Sequence, residues 1–293
     1  MPGLARARAA FAGHAEAPPQ PDSTGGEAYS DGIPSGENHG LFNVVTERDM
    51  IDIHCHLLPA IDDGANNLEQ ALEMASMAVA DGITHAVLTP HIQPGRWHNT
   101  AAGIAGEVAA FRVALEADQI PLKIGFAAEV QVSDQIFRDL EQEKIPFYGV
   151  HEGYRIMLLE FPHTHIVPGT DKLVAWLIRN GIRPLIAHPE RNREINVHPE
   201  KLKPFLDQGC MAQITGASLT GRFGATARQA GEYFIRQGQV DVLASDAHNT
   251  TTRLPAMAAA RDIVAAMVGA DVAARMVWEL PMALVAEQFQ QNA

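Results

Sequence analysis

The chain has 293 residues, 46% of them apolar, a formal net charge of −13 and two cysteines, Cys55 and Cys210. That length buries the core of one large α/β domain or two small ones, while the acidic balance argues against general nucleic-acid binding, which needs a basic surface to displace counterions. Two cysteines build no disulfide framework and fit a reducing, cytoplasmic setting, and no uninterrupted apolar run is long enough for insertion into a bilayer.

Residues 1–48 differ in character from the rest: an Ala-rich start with Arg6 and Arg8, then Pro, Gly, Ser and acid from Pro18 to Gly40. Such material cannot offset its ordering entropy and lacks the apolar core of a secretory signal. It reads as a disordered leader ahead of a folded domain at 49–293.

The folded part opens on Ile51-Asp52-Ile53-His54-Cys55-His56, which alternates like a strand. Residues i and i+2 of a strand share a face, so His54 and His56 can reach one ion, and Asp62 or Asp63 can return from the next loop to complete or bridge the site. Leu68, Ala71, Leu72, Ala75 and Val79 then fall at helical spacing, with Asn67 as N-cap and Gly82 as terminator. A strand over 83–91 stops at His91. A helix over 101–118 leads to a strand over 122–129 that stops at Glu129. Residues 131–153 carry a weaker signal, with a helical piece over 134–142. The fourth strand, 154–161, ends at Glu160 and runs into His163-Thr164-His165. A helix over 170–180 precedes a strand over 183–188 ending at His188, followed by Glu190 and Arg191. A helix over 199–208, a short strand over 211–215 and a helix over 226–237 lead to the seventh strand, 240–248, with Asp246 and His248 at its end. Helices over 254–268 and 271–279 finish the chain.

Seven strands alternating with helices imply parallel pairing and right-handed crossovers. Six of the seven strand ends carry His, Asp or Glu. A barrel of parallel strands places every such end around one mouth, whereas a doubly wound open sheet would gather only some of them, so the barrel is expected. His54, His56, Asp63, His91, Glu129, His165, His188, Asp246 and His248 are too many for one tetrahedral ion. They suit two or three divalent ions in N/O sites typical of Mn, Fe or Zn. Such a site attracts a phosphate dianion and lowers the pKa of water, and Arg191 and Arg253 follow two of the ligand-bearing strands as forks for phosphate oxygens.

The motifs His54-Cys55-His56, Thr89-Pro90-His91, Glu129, Ala187-His188-Pro189-Glu190-Arg191 and Ala244-Ser245-Asp246-Ala247-His248-Asn249 resemble the polymerase-and-histidinol-phosphatase (PHP) superfamily. The stretches IDIHCHLLPAIDDGA, EFPHTHIVPG, IAHPERN and ASDAHN look like its branch of manganese-dependent bacterial protein-tyrosine phosphatases encoded with capsule and exopolysaccharide genes. The resemblance runs from about Met50 to Glu287. It implies an α/β fold, a PHP-type distorted (β/α)7 barrel with the metal site at the C-terminal ends of the strands, and a centre of two or three divalent ions, manganese first. It also implies a cytoplasmic enzyme whose partner is the phosphotyrosine tail of a membrane-associated tyrosine kinase. By that likeness His54 and His56 hold one ion with Asp246, and Glu129 bridges to a second ion held by His188 and His165, with His163 competing for the last place. Asp63, His91 and His248 hold a third, and Arg253, Arg191 and Asp246 act in catalysis. Ile92, where many relatives have a polar or basic residue, and the loop Gly95-Arg96-Trp97 depart from the pattern.

A cysteine-type phosphatase needs Cys-x5-Arg, but position 61 is Ile and position 216 is Gly. Histidinol phosphatase is the alternative within the superfamily, with Asp62-Asp63 standing where a further histidine is expected. A non-catalytic PHP scaffold is a third reading, opposed by the completeness of the ligand set.

Overall fold

The computed structural model describes residues 49–290; the leader expected at 1–48 lies outside the described residues. Two sheets carry the fold. One has the order β1-β2-β5, from Met50–Cys55 (β1), Ile83–Leu88 (β2) and Lys123–Phe126 (β5). The other follows Val242–Ala244 (β11), Met211–Thr215 (β10), Ile182–Ala187 (β9), Tyr154–Glu160 (β8), Glu129–Gln131 (β6), His91–Gln93 (β3) and Trp97–His98 (β4), with Val150–His151 (β7) added to β8.

The strands expected over 83–91 and 122–129 are each broken in two. β2 gives way to β3 at Thr89-Pro90, where proline lacks the N–H a ladder needs, and β5 gives way to β6 at Ala127-Ala128. The upstream halves pair with β1 and with each other, and the downstream halves pair with each other and with β8. The hydrogen-bond ladders therefore form two sheets. At the other side, Asp246 N donates to His54 O (2.7 Å) and His56 N to Ala247 O (2.8 Å), so the end of β1 meets the segment after β11. The ladders between successive crossover strands are all parallel, as expected; β3–β4 and β7–β8 are added antiparallel pairs.

Register places the ligand-bearing ends level. His91 lies opposite Glu129, Gln131 opposite Glu160, and Glu160 opposite Ala187, one residue before His188. Beneath this edge lies a core of Ile51, Ile53, Val87, Tyr148, Ile156, Leu158, Leu185, Val242, Leu284 and Val285, all buried. The Tyr148 hydroxyl donates to Ile53 O at 2.5 Å within it.

The helices follow their local signals. In the helix Leu68–Asp81, Asn67 accepts from Gln70 N at 2.9 Å, and Gly82 takes the left-handed C-cap at φ 99°. The helix expected over 254–268 begins only at Ala258, because Asp81 Oδ2 draws Met257 N and Ala258 N into its own N-terminal cap. The last helix expected to end at 279 instead passes through a π turn, Arg275–Glu279, into Leu280–Gln290. A π turn loosens the hydrogen-bond ladder where Pro281 supplies no N–H, so the helix continues. Among the described residues, no helix is long and apolar enough to cross a membrane.

Candidate metal centre

The strand ends gather imidazoles and carboxylates into three overlapping groups: His54, Glu129, His188 and Asp246; His56, Asp63, His91 and His248; and His91, Glu129 and Glu160. Within each, the candidate ligand atoms lie within 4.8 Å of one another. Glu129 stands at the middle. Its Oε2 is 3.2 Å from His54 Nε2, 3.3 Å from His56 Nε2 and 3.1 Å from His91 Nδ1, and its Oε1 is 2.8 Å from His188 Nε2. Asp246 Oδ1 is 3.4 Å from His54 Nε2 and 3.6 Å from His56 Nε2. Asp63 Oδ1 faces His91 Nε2 (3.2 Å) and His248 Nε2 (3.5 Å).

Outer partners aim these rings. His54 Nδ1 donates to Gln213 Oε1 (2.9 Å), His56 Nδ1 to Asp62 Oδ2 (2.7 Å) and His248 Nδ1 to Asp246 O (3.1 Å). Each bond leaves Nε2 as the ring atom facing the cluster, the usual way a protein fixes a ligand's tautomer. Asp62 also accepts from Gly64 N (2.9 Å) and His91 N (3.1 Å), which pins the loop that presents Asp63. Below, the buried Asp52 accepts from Ser245 N (3.0 Å), Ser245 Oγ (2.5 Å) and His54 N (3.2 Å), locking the first strand to the segment that carries Asp246.

Backbone conformation contributes as well. His188 (φ 33°) and Asp246 (φ 52°) both sit in the left-handed region, which costs non-glycine residues about 1–3 kcal/mol each. Each turns its strand end over, and both side chains belong to the same ligand group.

The donor set fits divalent cations. Glu129 Oε2, Asp246 Oδ1, His91 Nδ1 and His248 Nε2 are buried with no hydrogen-bond partner, and all four belong to the clusters. Burial alone would push His54 down, but the carboxylates of Glu129 and Asp246 raise it to about 9. Burial likewise opposes the charge on His91, yet Glu129 and Asp63 bring it to about 10. The same negative field favours a cation. Burial lowers His188 to about 3, leaving a neutral imidazole suited to ligation. Burial and the neighbouring Glu129 raise Glu160 to about 8.

Two arginines close one side. Arg191 Nη1 and Arg253 Nη2 both donate to Asp246 Oδ2, the latter at 2.5 Å. They line a mouth of about 90 Å³ together with Asp63, Glu129, Glu160, His163 and His188.

His54, His56, Asp63, His91, Glu129, His188, Asp246 and His248 are thus brought together, and His165 is not. His165 is exposed, with Nδ1 accepting from Thr164 Oγ1 (2.8 Å). His163 takes the place at the mouth instead, its ring centroid 5.7 Å from that of His188. The chain turns at His163-Thr164 just after β8, which leaves the earlier of the two histidines beside the strand ends. Sequence reasoning assigned no ligand role to Glu160 and no orienting role to Asp62 or Gln213. Glu160 had a signal, a carboxylate at a strand end, whereas Gln213 in mid-strand had none.

Cys55 and Cys210 are both buried. Burial pushes the Cys55 thiol well above its ordinary range, and burial raises Cys210 to about 12. Neither supplies a thiolate nucleophile at neutral pH.

Comparison with known proteins agrees with this chemistry. Residues 50–286 match the family described as "Capsular polysaccharide synthesis, CpsB/CapC". The tyrosine-protein phosphatase YwqE of Bacillus subtilis is 35% identical over 204 residues, covering 70% of this chain and 79% of that protein. The tyrosine-protein phosphatase CpsB of Streptococcus pneumoniae is 27% identical over 244 residues, covering 82% of this chain and 99% of that protein. A crystal structure from the study of those two proteins, described there as unique metal-dependent tyrosine phosphatases, superposes with a TM-score of 0.75 at 32% identity, covering 82% of this chain and 95% of the other.

Proposed function

Because this chain belongs to the capsular polysaccharide synthesis CpsB/CapC family, we propose that it is a metal-dependent tyrosine-protein phosphatase serving capsule or exopolysaccharide synthesis. One observation carries the reading: Asp246 turns one oxygen to the imidazole cluster and the other to two arginines. A phosphomonoesterase needs those two functions, cation binding and phosphate gripping, side by side.

The proposed ligands are His54, His188 and Asp246 for one ion and His56, Asp63, His91 and His248 for another, with Glu129 shared between them. Glu160 joins His91 and Glu129 as a third group, and the expected His165 belongs to none of the three. Two or three ions, manganese first, suit this N/O set. When bound, such ions supply Lewis acidity toward a phosphoryl oxygen and activation of water. Arg191 and Arg253 hold the non-bridging phosphoryl oxygens and meet charge that develops on them. His163 stands at the same mouth, its pKa lowered by burial and by Arg191. The substrate is proposed to be the phosphotyrosine tail of a membrane-associated tyrosine kinase. We also read the two sheets as one distorted barrel, closed where the end of β1 meets the segment after β11.

The test is turnover of a phosphotyrosine peptide against histidinol phosphate, after metal removal and manganese add-back. Restored activity on the peptide alone supports the reading; preference for histidinol phosphate would replace it with the small-molecule branch.

A further inference from the structure

Resting on the phosphate role of Arg191 and Arg253, we propose that Phe223 is a positioning residue that holds the two guanidiniums together as one clamp. Three loops meet here. Arg191 follows β9, Phe223 lies beyond β10, and Arg253 follows β11. Because β10 sits between β9 and β11 in the sheet, the segment beyond it falls between the two arginines. Arg191 Cζ lies 4.3 Å from the Phe223 ring centroid, and Arg253 Cζ lies 6.0 Å from it.

The charges explain why a ring belongs at that spot. Both guanidiniums donate to the same oxygen, Asp246 Oδ2. Two cations converging on one carboxylate repel each other, and Asp246 alone balances one of them. The negative face of an aromatic ring offsets part of the remainder without competing for the N–H donors. Arg253 needs that support, since its Nε is buried and makes no hydrogen bond. An aliphatic side chain would fill the space but leave the pair free to splay. The ring contacts of Phe223 are with the two guanidiniums, so its effect falls on the arginines and through them on phosphate.

The experiment compares Phe223→Leu, Phe223→Met and Phe223→Tyr in the metal-loaded enzyme, with Arg191→Ala and Arg253→Ala as references. The readouts are inhibition by inorganic phosphate, KM and kcat for a phosphotyrosine peptide, and bound metal. Loss of a partly desolvated cation–π contact predicts that Leu and Met weaken phosphate inhibition and raise KM about 3- to 30-fold with metal retained, while Tyr stays within about 2-fold of the parent. Met preserves side-chain bulk should Leu fail to fold. If the arginine variants weaken phosphate inhibition and Leu and Met do not, Phe223 is only packing and the inference is overturned. Equal weakening in Tyr and Leu overturns it too. If neither arginine variant changes phosphate inhibition, the phosphate role itself fails and the clamp fails with it.

Discussion

Arg253 Nη2 donates to Asp246 Oδ2 at 2.5 Å, while the other oxygen of the same carboxylate stands 3.4 Å from His54 Nε2. Asp246 is therefore shared between the arginine side and the imidazole side of the centre. It is buried, and the Arg253 guanidinium, with His54 and Arg191, overcomes the burial penalty to hold its carboxyl well below the usual range.

A guanidinium cannot ligate a cation, so Arg253→Ala should leave bound metal unchanged while kcat/KM on a phosphotyrosine peptide falls about 10²- to 10³-fold, the worth of one donor to developing charge. Asp246→Ala should lower metal content and activity together. Because Arg191 and Arg253 share one acceptor, the double arginine variant should lose less than the product of the two single losses. Metal analysis beside kinetics on each purified variant decides it.

Gly64 lies against His56. A Cβ built there would overlap the His56 carbonyl oxygen and lie 2.6 Å from the His56 Cβ, and both are backbone-fixed. Gly64→Ala should therefore displace His56 and the Asp62-Asp63 loop, lowering metal occupancy with the far-ultraviolet circular dichroism intact. Full occupancy in the alanine variant would mean that the loop relaxes freely and does not position the ring.

Cys55→Ser should keep most of the activity. The Cys55 thiol lies 3.7 Å from Val87 O, deep behind the two histidines, and burial keeps it protonated. A hydroxyl can donate to the same carbonyl. A large loss of turnover with metal content unchanged would point to thiol chemistry and against a metal-dependent route.

Glu190 gives a pH prediction away from the ligands themselves. Burial raises its carboxyl to about 7, although Oε1 accepts from Thr215 N (3.0 Å) and Ser218 Oγ (2.7 Å). An acid whose folded pKa exceeds its unfolded value of 4.5 binds more protons in the folded state between the two. Its contribution is then most favourable below about 4.5 and declines as pH rises to about 7, by at most on the order of 3 kcal/mol. Glu190→Gln lacks this decline. Urea unfolding at pH 5 and pH 8 should show the parent losing stability relative to the glutamine variant as pH rises; parallel behaviour would show that Glu190 is already charged in the folded protein.

The residues that end strands were legible, because a strand end is a sequence event and parallel pairing brings such ends level. His54, His56, His91, Glu129, His188, Asp246 and His248 all met by that rule. Side-chain roles set by register or loop path were not. Asp62 and Asp63 are adjacent, yet only the turn around Gly64 decides that Asp62 orients His56 and Asp63 faces His91 and His248. Gln213 reaches His54 across a sequence separation of 159 residues, and a polar residue inside a short buried strand carries no mark of its partner. The same limit hid the break of the long strand at Ala127-Ala128, where local apolar character continues but the pairing partner changes, whereas Pro90 marked the other break with a missing N–H.

Gln288, on the final helix, accepts from Phe126 N at 2.6 Å and donates to Tyr148 O at 2.7 Å, while Leu284 and Val285 fill the core beneath β1. The first strand of the fold and its last helix are thus packed into one another. On a ribosome, β1 and its two histidines emerge long before the helix that closes the floor under them. The nascent chain must wait with an open core until residue 290 clears the exit tunnel, which makes these late contacts a slow, non-local step of folding. Assembly of the imidazole and carboxylate clusters then follows synthesis of the whole domain, and a ribosome stalled before the final helix would leave those side chains made but unassembled.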